Sequence, residues 1–166
     1  MAEMITFYVF GGLAVIASLF MITRRNPVGA AWSLIVVMIS LAALFVLLSA
    51  TFVAAMQVIV YAGAVMVLFL FVVMLLNLPE EELGKPKVTG AKIFGAIVSL
   101  GLLVELLVVA LVDDLPGKEL SKGFGEVAPV AKELFSTYLL PFEVTSILLL
   151  AAIVGAVVLT QRERKK

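Results

Sequence analysis

From Asn26 to Pro79 the chain runs 54 residues without a charged side chain. As one α-helix that stretch would extend ~80 Å at 1.5 Å per residue, far more than the ~30 Å hydrocarbon layer of a bilayer. A soluble domain has no interior able to bury it, so it must cross a membrane and fold back once. The small and polar Ser49, Ala50 and Thr51 mark the turn. This gives spans near Gly29–Leu48 and Phe52–Leu78. Composition agrees: of 166 residues, 63% are hydrophobic and 14% charged, with a mean hydropathy of +1.21. A soluble domain is roughly half apolar and a quarter charged.

Three more spans complete an all-α integral membrane protein of five transmembrane helices in a single membrane domain. Met4–Thr23 is charge-free and ends at Arg24 and Arg25. A fourth span covers about Ile93–Val112, interrupted by Glu105, and a fifth covers about Pro141–Leu159. Lys and Arg concentrate in short cytoplasmic loops. Arg24, Arg25, Lys85, Lys87, Lys92, Arg162, Arg164, Lys165 and Lys166 fall on one side, against Lys118, Lys122 and Lys132 on the other. The N-terminus is therefore expected outside and the C-terminus in the cytoplasm. The first span is not a cleavable signal, because its positive charges follow the apolar run. In the outer loop, 113–140, Pro116, Gly117, Gly123, Gly125 and Pro129 predict turns, and Val127–Tyr138 a short amphipathic helix.

The chain has no Cys and no His. Iron–sulfur clusters need thiolates, and haem and zinc sites lean on His or Cys, so no redox centre or metal is expected in this polypeptide. Twelve basic residues balance twelve acidic ones, leaving no basic face for nucleic acid.

The polar residues within the spans are few. Glu105 lies about twelve residues into the fourth span, at a depth where an ionised carboxylate is expensive. It must be protonated, face water, or meet a partner from another chain. Glu143, two residues after Pro141, reads as an acid in the first turn of the fifth helix, favoured by the helix dipole; a proton-handling role is the sharper alternative. The third span is the longest and carries Gln57 and, at its midpoint, Tyr61, Ala62, Gly63 and Ala64. Small residues there make either a close-packing face or a helix with a local irregularity such as a π-bulge. Small pairs at four-residue spacing (Ala14 and Ser18, Ala91 and Gly95, Ala151 and Gly155) also favour helix packing.

Three stretches, NPVGAAWSLIV at Asn26–Val36, QVIVYAGAVMVLFLFVVMLLN at Gln57–Asn77 and LLPFEVTSILLLAAIVGAVVLT at Leu139–Thr160, resemble subunit J of bacterial respiratory complex I, the homologue of mitochondrial NADH dehydrogenase subunit 6. The resemblance implies a core subunit, without an active site of its own, of a proton-pumping NADH:quinone oxidoreductase in the bacterial inner membrane. It implies that NADH, FMN, iron–sulfur clusters and quinone belong to partner subunits. Its neighbours would be the quinone-site subunit, small three-helix subunits and antiporter-like subunits. In that family the third helix switches between α and π-bulged forms beside a water path. Carried over, Tyr61, Gly63, Val65, Met66, Val67 and Phe69 form or line the switching segment. Some relatives have Glu where this chain has Gln57, a side chain that cannot exchange a proton; Glu143 matches a family position. The residues alone leave two other readings open: a structural or assembly subunit of a related membrane oxidoreductase, and a small autonomous transporter or antiporter component.

Overall fold

The structure, a computed structural model, describes residues 1–76, 90–111 and 123–161. These form α1 (Ala2–Thr23), α2 (Pro27–Leu47), α3 (Thr51–Leu76), α4 (Gly90–Leu111), α5 (Val127–Leu134) and α6 (Leu139–Thr160). Helices α1, α2, α3 and α6 are long and apolar enough to cross a membrane, and α4 contains a shorter apolar stretch, Phe94–Val109. The protein is an all-helical membrane protein. The expected ends of the third and fourth spans, Leu78 and Val112, lie outside the described residues, as do Lys85, Lys87, Lys118, Lys122 and the basic C-terminal residues from Arg162 on.

Local chemistry sets the first two turns. Pro27 opens α2, where its missing N–H costs nothing. The Asn26 side chain accepts hydrogen bonds from the Val28 and Gly29 N–H groups at 2.9 and 3.3 Å. Helix α2 thus starts two residues before the expected Gly29. It ends in a Schellman motif: Ser49 N–H donates to the Val46 carbonyl, and Ala50 N–H to that of Phe45. Ser49 takes the left-handed position usually held by glycine, with φ 60°. The expected turn at Ser49–Thr51 is where the chain reverses.

Helix α2 lies between α1 and α3 and packs along both. The side chains buried among the described residues are small or polar: Ala17, Ala31, Ser40, Ala42, Ala54, Gln57 and Ala62. Large apolar groups such as Trp32, Leu68 and Phe94 point outward. This inverts the plan of a soluble protein. In lipid, where tails are as apolar as Leu, close approach of small-residue faces drives association. Several hydroxyls within the spans are satisfied on their own helix, as when Ser18 Oγ donates to the Ala14 carbonyl and Ser40 Oγ to that of Val36. Among the described residues, neither Gly95 nor Gly155 has a neighbour where its missing Cβ would sit.

The region after the outer loop departs from expectation in two ways. The amphipathic helix is shorter, ending at Leu134, and a turn over 135–138 leads into α6. Helix α6 starts at Leu139 instead of Pro141, so Pro141 is its third residue and no acid falls in its first turn. The first-turn reading of Glu143 is therefore corrected. The reason is local: Phe142 N–H donates to the Tyr138 carbonyl, and the Phe135 and Phe142 rings meet edge-on at 5.0 Å, drawing the helix start back to the turn.

Candidate functional site

Within α3 the nine residues Gln57–Val65 form a π-helix, flanked by α-helical Thr51–Met56 and Met66–Leu76. Met66 N–H bonds to the carbonyl of Tyr61, five residues back. The irregularity offered as one alternative for this midspan is present, and it is longer than a single-turn bulge.

The burial pattern follows from it. Ala54 and Gln57 face α2, three residues apart, and the next buried residue is Ala62, five further on. In a continuous α-helix the residue four after Gln57, Tyr61, would share that face. Instead Tyr61 points outward, 52% exposed, and the inward row continues at α-helical spacing through half-buried Met66, Leu70 and Val73. An uninterrupted α-helix would carry Tyr61, Val65, Phe69 and Val72 on that row. The π segment therefore displaces every side chain beyond it by one position, replacing a bulky row with one that starts at alanine.

Gln57 sits where the π segment begins. It is buried, and its Nε2 donates to the Sδ of Met38 on α2 at 3.0 Å. Gly63 is the seventh residue of the segment: a Cβ there would stand 3.2 Å from the Val58 carbonyl oxygen, tighter than ordinary contacts. The other expected residues separate into two groups. Tyr61, Gly63 and Val65 belong to the π segment, while Met66, Val67 and Phe69 open the α-helix after it. Glu105 on α4 and Glu143 on α6 are exposed and are not brought to the π segment. The Glu143 backbone carbonyl accepts from Ser146 Oγ at 2.7 Å.

A second contact was not legible beforehand. The Gly125 carbonyl accepts from both Phe52 N–H at 2.9 Å and Thr51 Oγ1 at 3.1 Å, holding the first turn of α3. Gly125 has φ +79°, and a Cβ there would collide with the Ser49 carbonyl and stand 2.8 Å from Ala50 Cα. The turn-forming glycines of the outer loop gave a signal for a turn but none for its partner, 74 residues away. Among the described residues, no cluster of His, Cys, Asp or Glu is arranged to hold a metal.

These features define a polytopic helical membrane protein whose distinctive element is an irregular membrane-spanning helix. Residues 17–159 match the family of NADH-ubiquinone/plastoquinone oxidoreductase chain 6. The chain is 41% identical to NADH-quinone oxidoreductase subunit J of Pseudomonas aeruginosa, over 96% of this chain and 98% of that one. It is 39% identical to subunit J of Escherichia coli, over 95% and 86%. It is 40% identical to NAD(P)H-quinone oxidoreductase subunit 6 of the organellar chromatophore of Paulinella chromatophora, over 97% and 79%. The chain belongs to this subunit J/chain 6 family, membrane subunits of a multi-subunit quinone oxidoreductase.

Proposed function

We propose that this subunit couples quinone reduction to proton translocation in an NADH:quinone oxidoreductase by converting α3 between the π form and a continuous α-helix. The observation that carries this reading is the five-residue step from Gln57 to Ala62. Removing the extra residue from the π turn would rotate the following half of α3 by about one residue, ~100° in a 3.6-residue helix. Tyr61, Val65 and Phe69 would then replace Ala62, Met66 and Leu70 against α2. A phenol where a methyl group had been forces the helices to repack. Events at a quinone site and the state of a nearby water path can thereby bias one element. A difference of ~1–3 kcal/mol between the two forms would suffice, the usual scale of allosteric coupling.

In this reading the chain binds no cofactor. NADH, FMN, iron–sulfur clusters and quinone are handled by partner subunits. The subunit sits in the bacterial inner membrane with its N-terminus outside, among the quinone-site, small three-helix and antiporter-like subunits. Glu105 and Glu143, exposed in the isolated chain, face water or those partners and line the proton path, while Gln57 anchors the switch without exchanging protons.

A scaffold role is the competing reading, favoured by the broad apolar faces of α4 and α6. Substituting Tyr61 with Leu separates the two. After mild detergent extraction, the variant is expected to migrate on a native gel with a large NADH-oxidising assembly, yet to pump poorly. Loss of the assembly with normal pumping in whatever remains would favour the scaffold.

A further inference from the structure

Between α1 and α2 lies an open groove of about 330 Å³, lined by Leu13, Ile16, Phe20 and Arg24 from the α1 side and Ser33 and Val36 from α2. We propose that this groove binds an anionic phospholipid, one acyl chain lying along it and the phosphate held by Arg24 and Arg25. Three observations support a lipid as occupant. The groove is lined mainly by apolar side chains, and its single charged lining residue, Arg24, stands at one end. The Arg24 guanidinium lies over the Phe20 ring, 5.7 Å from its centroid, which holds it at the mouth. From Leu13 to Arg24 is eleven residues, ~16 Å of helix, close to half of a ~30 Å hydrocarbon layer and so one leaflet deep.

Charge complementarity selects the headgroup. Glu3 is the sole acid in the first 79 residues, and it lies twenty-one residues before Arg24, ~31 Å along the helix. Arg24 at the groove mouth and the adjacent Arg25 therefore meet no acid of α1 or α2, and the polar groups beside them on these helices are already satisfied. Thr23 Oγ1 donates to the Leu19 carbonyl, Ser33 Oγ to that of Gly29, and Asn26 Oδ1 is engaged by the start of α2. Arginine binds phosphate oxygens bidentately, and basic residues near an anionic leaflet each add to lipid affinity. A zwitterionic lipid would offer the same chain but surround its phosphate with a compensating positive charge.

The test uses the purified parent complex, depleted of lipid and then incubated in mixed micelles with phosphatidylglycerol or phosphatidylcholine. Either lipid carries a photoreactive group in the acyl chain. In the unaltered complex, adducts mapped by mass spectrometry are expected on Leu13–Val36, roughly tenfold or more stronger with phosphatidylglycerol. Arg24→Gln with Arg25→Gln should bring phosphatidylglycerol labelling down to the phosphatidylcholine level. Val36→Trp, which fills the groove, should reduce labelling by both. Equal labelling of the unaltered complex by the two lipids, no labelling of these peptides, or labelling indifferent to the arginine substitutions would each overturn the proposal. Because the unaltered complex supplies the first readout, the result does not hang on how the variants fold.

Discussion

The buried amide of Gln57 donates to the thioether sulfur of Met38 at 3.0 Å, joining α2 to α3 at the residue where the π segment begins. Each partner depends on the other. Inside a membrane an amide left without an acceptor is costly, and sulfur is a weak but polarisable acceptor available from an otherwise apolar helix.

Met38→Leu should therefore destabilise the subunit slightly, by about 0.6 kcal/mol on the scale of hydrogen bonds between membrane helices. Replacing both partners, Met38→Leu with Gln57→Met, should recover much of the loss, because no polar group then remains unsatisfied. Thermal dissociation of the detergent-extracted complex, read as a double-mutant cycle, checks the expected non-additivity.

The two outer-loop glycines should behave differently. Both have positive φ, +80° at Gly123 and +79° at Gly125. Substituting Ala costs about 1–2 kcal/mol for the left-handed backbone alone. At Gly125 a Cβ also collides with the Ser49 carbonyl, whereas at Gly123 its nearest neighbour is the end of the Glu126 side chain at 3.4 Å. Gly125→Ala is expected to speed amide hydrogen exchange at Phe52, whose N–H loses its acceptor, and Gly123→Ala to leave it nearly unchanged.

Much of this architecture was legible in the residues, for reasons that are mainly local. Charge-free runs mark where long apolar helices form, Arg24 and Arg25 stop α1, and Asn26-Pro27 is a helix start by its own chemistry. The reversal at Ser49–Thr51 follows from helix length alone. Other features depend on what meets what. The Gly125 contact joins segments far apart in sequence. The start of α6 moved back to Leu139 because Phe135 and Phe142 pack together across the turn. The choice between a packing face and an irregular helix at Gly63 was undecided because both need the same small residues. The displaced inward row, Ala62 in place of Tyr61, is what distinguishes them.

That row yields a direct substitution test. Ala62 is 8% exposed and faces α2. Ala62→Leu should crowd the contact, at a cost of about 1–3 kcal/mol typical of overpacking, and so favour the continuous helix. The same change at Ala64, exposed on the other side, should be neutral. Comparing the thermal stability and quinone reductase activity of the two assembled variants checks this.

The most direct measurement of the coupling role is the number of protons moved per NADH oxidised by the complex carrying Gly63→Leu, reconstituted in sealed vesicles. A side chain at this position crowds the Val58 carbonyl in the π form, so the switch should be biased while the helix still packs. An assembled complex that transfers electrons but moves fewer protons per electron is the predicted result. Normal stoichiometry at the normal rate, in a fully assembled complex, would contradict a switch centred on this segment.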